Sequence, residues 1–490
     1  MKLRAGARGG TAQPGGAGAA RRPRSYGRRL LWVGVAAVLP LVWVGSPAGA
    51  DHGHHGPQGQ QGQQGRDGQD GQGGTAPNPS GATLYVAPTG SSGGSDQGCT
   101  SAGYDNVQTA VDAANPGDTV HVCAGTYDEQ VAITTSGLTL TGTGTASLIE
   151  PTGATPALVH TADTPSSAPD MAPIIDVGPG VEGVTVRDLE VDGAGWMPVL
   201  GGCGVDPVGV LFHGASGAVR TVTVSTMELS AALDGCQAGQ GIYVDETGSS
   251  TSPTGNARVA VVHDTVDGFQ KNGITCDDHG SACSIVGSTV TGEGPTSGAA
   301  ENGIQVLGAL ARIAGNTVAT VEWTGTPAPS DPLATFASGI LLYGAEGDVP
   351  VQHNTVSNAQ LAISVVDSNA TVQQNTVTET SPGIPDSVGV YAVACTTYCG
   401  ALGFSPGTIR VGIIRNSISL ATAPGTTGVW VGDPAATKTG SVSVTAVGNT
   451  IVGAAENVVL GPTASGTVQT SSDGAEGRGS PPGGGSHRDH

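Results

Sequence analysis

Two aspartates at equivalent positions of a repeated segment are the residues of this sequence best suited to chemistry. Each segment starts with a Gly-Ile pair, and Asp245 or Asp277 follows three positions after the isoleucine. An earlier segment carries His213 at the same position. If the aliphatic residue points into a core, strand alternation turns these three side chains outward. The pattern therefore predicts a column of His213, Asp245 and Asp277 on one exposed face.

The spacing of the two carboxylates indicates acid/base work on a glycan. Strands of stacked coils lie about 4.8 Å apart, close to the separation of the carboxyl pair in a retaining glycosidase, and a one-coil skip would suit an inverting pair. Asp278 and His213 complete the set of catalytic candidates. The alternative, equally weighted, is that these are solvated carboxylates of an acidic protein.

The same acidic residues define a candidate metal site. Asp245, Glu246 and Asp277 are close enough in this arrangement to repel one another at neutral pH. Either one of them holds a proton or a Ca2+ ion lies among them. The predicted metal ligands are these three residues, and Ca2+ is the only cofactor expected.

Polar and aromatic residues on the same predicted face are candidates for substrate binding. They share the outward positions of the repeated segments, and they are Tyr243, Gln305, Tyr343, Tyr391 and Trp430. Aromatic rings stack on sugars, so such a row suits a polysaccharide. The alternative is that long loops at 324–336 and 396–406 bury the rings structurally.

The elements that must position these residues are repeated coils. Asn-Thr-Val or a close variant recurs, with intervals of 38, 21, 41 and 33 residues, at Asn316, Asn354, Asn375, Asn416 and Asn449. Such self-similarity indicates a solenoid with variable loops. Stacked turns place identical side chains above one another, and Asn amides hydrogen-bond along such a ladder. We predict that these asparagines are ladder residues and not an active site.

The sequence before and after the repeats predicts four regions. Residues 1–50 hold eight Lys or Arg, no acidic residue and a short apolar run interrupted by Pro40, which is typical of a signal peptide and too short for a spanning helix. Residues 51–82 form a Gly/Gln-rich disordered linker, 83–462 the solenoid and 463–490 a disordered tail. We expect an exported, extracellular protein without membrane insertion after cleavage, and a monomer.

The charge of the mature chain excludes several partners. The leader takes eight of the 19 basic residues, so about 11 remain against 40 acidic ones, for a net charge near −29. Such a chain repels nucleic acid and anionic membranes. A polyanionic glycan would also be repelled unless cations bridge it to the protein.

The eight cysteines favour disulfides because their number is even and the chain is exported. Pairing of sequence neighbours gives Cys99–Cys123, Cys203–Cys236, Cys276–Cys283 and Cys395–Cys399. Eight cysteines allow 105 pairings, so the connectivity stays open. A zinc site would need clustered ligands, and only the last pair has such spacing.

A short helix is predicted in front of the strands. Val107, Ala110, Val111 and Ala114 share one helical face, with Asp105 or Asn106 as N-cap. A helix here covers the first edge of a strand stack.

The order of these elements resembles the opening of right-handed parallel β-helix proteins of the pectin-lyase-like superfamily. The resemblance rests on Leu84-Tyr85-Val86, the helix, the run 116–122 and the strands near Val131 and Leu138, and it extends over about 83–461. It implies an all-β fold, a right-handed parallel β-helix with a short N-terminal capping helix. That superfamily includes lyases, hydrolases, esterases, epimerases and noncatalytic adhesins.

The sequence motifs of the enzymes in that superfamily are not found here. The chain has no Arg-x-Pro-x-x-Arg of pectate lyases and no Asn-Thr-Asp, Gly-His-Gly or Arg-Ile-Lys of polygalacturonases. Asp277-Asp278 alone resembles the paired aspartates of the latter.

Together these patterns give two functional hypotheses. The first is a secreted β-helix protein that binds or degrades an extracellular polysaccharide, as a carboxylate-based hydrolase or a Ca2+-assisted lyase. The second is a noncatalytic surface or matrix protein with a structural or adhesive role. Insertions near 144–180, 193–207 and 324–336 favour a built groove. The sequence does not decide whether the protein is an enzyme.

Overall fold

The computed structural model describes residues 81–88, 95–152, 156–159, 170–196, 200, 202–246, 254–325, 336–379, 387–394, 407–432 and 440–471. The chain divides into two compact units, residues 1–73 and 74–490, and the first lies outside the described residues. The predicted signal peptide, most of the linker and residues 472–490 are therefore not described. No helix in the described ranges is long and apolar enough to cross a membrane.

The described chain winds into a right-handed parallel β-helix, as the resemblance implied. Among the described residues, strands of successive coils pair in parallel and form an 11-stranded and a 23-stranded sheet. The larger sheet has two rows of strands, joined by the strand Ser441–Val452, so three rows run along the solenoid. We call them sheets I, II and III.

Sheet I begins each coil and carries the predicted column. Its strands are β4 (Val131–Ile133), β7 (Asp170–Val177), β10 (Val205–His213), β13 (Gln240–Asp245), β16 (Asn272–Asp277), β19 (Asn302–Leu307), β22 (Ser338–Tyr343), β25 (Leu361–Val366), β28 (Val388–Val393), β31 (Thr427–Val431) and β33 (Glu456–Leu460).

Sheet II follows sheet I after a turn or loop. Its strands are β1 (Thr83–Val86), β2 (Thr119–Val122), β5 (Thr139–Thr141), β8 (Val184–Arg187), β11 (Ser216–Arg220), β14 (Arg258–Val262), β17 (Ala282–Val286), β20 (Leu310–Ala314), β23 (Asp348–Gln352), β26 (Asn369–Gln373), β29 (Thr408–Ile414), the first part of β32 (Ser441–Val452) and β34 (Ala464–Ser471).

Sheet III follows sheet II after a tight turn. Its strands are β3 (Gly125–Tyr127), β6 (Ser147–Ile149), β9 (Glu190–Asp192), β12 (Thr223–Ser225), β15 (Thr265–Asp267), β18 (Thr289–Thr291), β21 (Thr317–Val321), β24 (Thr355–Ala359), β27 (Thr376–Thr378), β30 (Ser417–Ser419) and the second part of β32. Strand β34 lies beyond residue 462, where the sequence predicted the solenoid to end.

The tight turn between sheets II and III holds the asparagine ladder, which confirms the prediction. Asn316 N and Nδ2 donate to Asn354 Oδ1 at 2.9 and 3.0 Å, and the same pair of bonds links each later asparagine to the next. Each Nδ2 also donates to a strand carbonyl, such as Ile285 O for Asn316. The ladder therefore satisfies buried polar groups along the turn.

A steric match between sheets III and I explains why Asn-Thr-Val and Gly-Ile recur together. The valine of Asn316-Thr317-Val318 packs against Gly303, where a Cβ would lie 2.5 Å from Val318 Cγ1 and 2.7 Å from Gly339 O. Several other coils repeat this contact, so a β-branched residue on one sheet favours a glycine on the other, although Ala362 takes the equivalent position in one coil.

The N-terminal helix α1 spans Val107–Ala113 and buries Val107, Ala110 and Val111, as predicted. Asn106 is its N-cap and accepts from Thr109 N at 2.9 Å. Glu129 accepts from the N–H groups of Val107 and Gln108, so two further helix donors are satisfied. The helix packs on β1, β2 and β4 and covers the first edge of the solenoid.

Three disulfides join the predicted sequence neighbours, Cys99–Cys123, Cys203–Cys236 and Cys276–Cys283. The pair Cys395–Cys399 lies outside the described residues. Cys276 points inward at the end of β16, as alternation predicted, and Cys283 is also buried in the core. The left-handed residues Asp278 and Gly280 bend the chain between them, which allows the bridge to form.

Candidate functional site

The outer face of sheet I carries the predicted column. His213 pairs with Asp245 across β10 and β13, and Asp277 follows Cys276, which pairs with Val244. The residues between them, such as Phe212 and Val244, belong to the main core. Alternation along the strands therefore places His213, Asp245 and Asp277 one above another, as the sequence predicted.

The expectation that this whole face is exposed is wrong. His213, Tyr243, Asp245 and Tyr391 have only 7%, 8%, 2% and 2% of their surface exposed. At the N-terminal part, Val159 and Met171 pack over Leu211 and Tyr243. Asp277, Asp278, Gln305, Tyr343 and Trp430 are half-buried, and these five are the accessible candidates of the face.

The most direct contact between candidate residues joins neighbouring coils. The Tyr243 hydroxyl donates to Asp277 Oδ2, while Asp277 Oδ1 accepts from Asp278 N at 2.8 Å. Burial, and then the charges of Asp277 and Asp245, raise the pKa of Tyr243 well above its ordinary value. The tyrosine therefore keeps its proton at neutral pH and supports Asp277 as a carboxylate.

His213 has a different acidic neighbour from the one predicted by the column. Its Nε2 lies 3.0 Å from Asp176 Oδ1 on β7, in an orientation outside hydrogen-bond geometry. Gly214 N, the next residue, donates to Asp245 O at 2.8 Å, so the backbone fixes the two coils here. The histidine lies on β10 between β7 and β13 and is buried, so it is not part of the accessible surface of the face.

The predicted metal ligands Asp245, Glu246 and Asp277 do not have ligand atoms that all lie within 4.8 Å of one another. Glu246 is fully buried and accepts from Thr254 Oγ1 and from Asn256 N, the latter at 3.2 Å, so its carboxylate binds the segment before β14. Within the described ranges, the only three potential ligand atoms within 4.8 Å of one another belong to Cys99, His121 and Cys123. Those two cysteines form a disulfide and are not thiolate ligands. Calcium at Asp245, Glu246 and Asp277 remains a prediction.

A polar row that the sequence reasoning missed borders the column. Asp206 accepts from Gly239 N at 2.6 Å and from Gln240 Nε2 at 3.1 Å, and burial raises its pKa to about 6. Further along, Asn302 Nδ2 donates to Asn272 Oδ1 and to Gln305 Oε1 at 3.0 and 2.9 Å. Gln240, Asn272 and Asn302 each immediately precede the glycine of a Gly-Ile pair, and that signal could have identified them.

The C-terminal half of the face is apolar and aromatic. Tyr391 and Trp430 meet edge-to-face with ring centroids 6.4 Å apart. They pack with Phe336, Leu361 and Val388, so Tyr391 is the floor of this cluster and Trp430 its accessible ring. Trp430 Nε1 has no hydrogen-bond partner among the described residues.

The face therefore has two chemically distinct halves. The N-terminal half offers Asp277 with Tyr243 behind it, and on the next coil Gln305, whose amide oxygen accepts from Asn302. The C-terminal half offers Tyr343 and Trp430. Carboxylates and amides can hydrogen-bond sugar hydroxyl groups, while aromatic rings can stack on sugar rings.

Comparisons with known proteins give structural similarities only. No protein-family model and no curated protein matches the chain. Among solved structures, the catalytic domain of an alpha-1,3-glucanase in complex with nigerose is 12% identical and covers 81% of this chain and 70% of its own, with a TM-score of 0.42. An alginate lyase from a Paenibacillus species is 12% identical and covers 78% and 99%, with a TM-score of 0.39. A tailspike of an Acinetobacter phage is 10% identical and covers 83% and 66%, with a TM-score of 0.48.

Proposed function

We propose that this protein is exported, binds an extracellular polysaccharide along the outer face of sheet I, and hydrolyses its glycosidic bonds. The observation that carries the proposal is the hydrogen bond from Tyr243 to Asp277, with the Asp245 carboxyl group on the strand that bears the tyrosine. The proposal is supported by the position of Asp277, the buried Tyr243 phenol and Asp245 on neighbouring strands of a face that also carries accessible aromatic rings.

Asp277 is the group best placed to act as nucleophile. It is the half-buried member of the pair, and donors from Tyr243 and from Asp278 N favour its ionised form. Asp245 on the adjacent coil would act first as acid and then as base. Adjacent strands are about 4.8 Å apart, close to the separation of about 5 Å that accompanies retention of configuration.

The charge of the protein favours a neutral glycan. The chain has a net charge of −21, and the predicted loss of the leader makes it more negative. A polyuronate would meet long-range repulsion over the whole molecule. We therefore place a neutral polysaccharide ahead of an acidic one, and glycosidic hydrolysis ahead of Ca2+-assisted elimination.

Export is supported by the basic and apolar leader and by the disulfides. Three bridges close loops in the described part of the chain, and such bridges persist in oxidising compartments. The proposal thus places the protein where polysaccharides of the cell surface or surroundings are accessible.

A noncatalytic binding protein is the second candidate. Asp245 is 2% exposed and His213 7%, so a substrate would reach Asp277 more readily than its partner carboxyl group. In this case the rings and amides of the face would bind a glycan without cleaving it.

A product assay separates the two candidates. The mature protein and the variants Asp277→Asn and Asp245→Asn are incubated with neutral and acidic polysaccharides, and new reducing ends are measured with ultraviolet detection of unsaturated products. Asp348→Asn, at an exposed carboxyl group on sheet II, is the matched control. Reducing ends that both site variants lose support hydrolysis, unsaturated products indicate a lyase, and retained binding without either product indicates the noncatalytic role.

A further inference from the structure

A second acidic cluster lies away from the column, in the loops that connect sheet III to sheet I. It consists of Glu228 and Asp234 in the loop after β12, and of Glu293 and Glu301 in the loop after β18. The two loops are in contact, since Ala299 N donates to Asp234 O at 2.7 Å. Sequence reasoning did not identify this cluster because its members belong to loops outside the repeat.

The carboxyl groups of the cluster lie near enough to one another for their charges to raise the pKa values of Glu293 and Glu301. Burial, and then the neighbouring Glu228 carboxyl group, raise the pKa of Glu293 to about 7. Glu301 Oε1 accepts from Glu293 N at 3.4 Å. Asp234 packs on Gly298, where a Cβ would lie 2.1 Å from Asp234 Oδ1, so no other residue type allows the carboxylate this close to the loop.

Glu301 provides the observation that points to a ligand. Its side chain is fully buried, and its Oε2 has no hydrogen-bond partner among the described residues. Burial, and then the charges of Glu293, Glu228 and Asp234, raise its pKa to about 9. A buried oxygen without a donor is costly unless a proton or a cation satisfies it.

Lys271, a cationic side chain near the cluster, makes its hydrogen bond to a backbone carbonyl. Lys271 Nζ donates to Ala300 O at 2.6 Å, and burial lowers its pKa to about 8. Its attraction to Glu301 neutralises at most one of the four carboxylates. The cluster therefore keeps an excess of negative charge even with the lysine protonated.

We propose that Glu228, Asp234, Glu293 and Glu301 bind a divalent cation with a preference for oxygen ligands, for which Ca2+ is the probe. Calcium takes six to eight oxygen ligands in flexible geometry, and this cluster supplies carboxylates from two adjacent loops. A bound ion would hold the carboxylate oxygens closer together than they are here. In the described residues, no three acidic side chains have ligand atoms within 4.8 Å of one another. Glu293 is exposed and Glu228 half-buried, so both side chains can turn onto the ion. The cation would clamp two loops that lead into β13 and β19.

This inference does not depend on the proposed function. The expected affinity is that of extracellular calcium modules, with a Kd of about 0.1–1 mM. Trp323 is a built-in reporter, because its Nε1 donates to Gly298 O at 3.0 Å, on the residue against which Asp234 packs.

The test measures Ca2+ binding by calorimetry and Tb3+ luminescence excited through tryptophan, on the mature protein with its fold checked by circular dichroism. We expect Glu293→Gln and Glu301→Gln each to weaken Ca2+ binding at least tenfold and to remove the Tb3+ signal. Asp277→Asn, at the predicted column, and Asp348→Asn, at an exposed carboxyl group, should bind as the wild type does.

Two results would overturn the proposal. One is a Glu301→Gln variant that binds Ca2+ with wild-type affinity and has a higher Tm, because Glu301 would then simply be a protonated core residue. The other is wild-type protein without saturable Ca2+ binding up to about 10 mM, well above the range of extracellular modules. Binding lost only in Asp277→Asn would move the ion to the column and also contradict the proposal.

Discussion

The Tyr243 hydroxyl donates a hydrogen bond to the Asp277 carboxylate on the next coil of the β-helix. The tyrosine is buried and the aspartate half-buried, so the contact links the floor of the sheet I face to its accessible surface. Because the burial of Tyr243 and the charges of Asp277 and Asp245 raise the pKa of the phenol, it acts as a permanent donor. The tyrosine is thus a positioning residue for Asp277.

Tyr243→Phe removes that donor without changing the shape of the floor. We expect kcat to fall about 100-fold, as for the loss of one preorganised donor. The acidic limb of the kcat profile should move to higher pH, because the Asp277 carboxylate loses a group that favours its ionised form. An unchanged limb, measured from pH profiles of product release, would mean that the tyrosine has only a structural role.

Asn354→Ala interrupts the asparagine ladder. The variant removes the oxygen that accepts from Asn316 N and Nδ2 and the amide that donates to Ile313 O and Asn375 Oδ1. Leaving these buried groups without partners should lower the free energy of unfolding by about 3 kcal/mol. Urea unfolding measures the change, with Thr355→Ala, at an exposed neighbour, as the control that should stay close to wild type.

Gly303→Ala tests the match between the two recurring motifs. The new methyl group would lie 2.5 Å from Val318 Cγ1 and 2.7 Å from Gly339 O, and such overpacking should cost about 3 kcal/mol. Gly235→Ala is the control, since a Cβ there meets no atom within 4 Å. Adding Val318→Ala should recover part of the loss, and a double variant with strictly additive losses would argue against the direct contact.

In a coil nearer the N-terminus, Asp264 takes the ladder position that asparagine takes in later coils. Its Oδ1 accepts from Val222 N at 2.8 Å, its N donates to Ser288 Oγ, and its Oδ2 has no partner among the described residues. Burial raises its pKa to about 7, against the attraction of Arg220. The folded protein therefore holds a proton that the unfolded chain releases near pH 4.

The consequence is a loss of stability as the pH rises from about 4 to 7, because the folded state binds more protons in that window. Each unit of pKa displacement contributes about 1.4 kcal/mol. Asp264→Asn supplies the amide that the later ladder residues use, so it should stabilise the protein at pH 8 and have little effect at pH 4. Unfolding free energies of both proteins at several pH values test this, and a difference independent of pH would contradict it.

The fold could be predicted because the same physical interactions recur in many coils. One turn residue such as Asn354 and one Gly-Ile pair recur in many coils, and each recurrence reports the same ladder and the same steric match. The column of His213, Asp245 and Asp277 followed from strand alternation alone, which is equally periodic.

The burial of the sheet I face and the second acidic cluster could not be predicted because they do not depend on the repeat. Val159 packs on the cluster of Tyr243 from a segment remote in sequence, and Glu301 accepts from Glu293 N within one loop between sheets III and I. Such contacts depend on the path that an individual loop takes, and the repeat pattern does not determine that path. Asp264 shows the intermediate case, since its ladder position is periodic and its residue type is not.

The most direct test of the account is the binding of neutral polysaccharides to the outer face of sheet I. Affinities of the mature protein, Trp430→Ala, Asp277→Asn and the control Asp348→Asn are measured by calorimetry against a ligand found in a glycan screen. We predict that Trp430→Ala weakens binding about tenfold or more, in line with the loss of a ring that stacks on a sugar, while Asp348→Asn binds as the wild type does. Equal affinities of the wild type and Trp430→Ala, with Asp277→Asn also unchanged, would show that the glycan binds elsewhere and contradict the account.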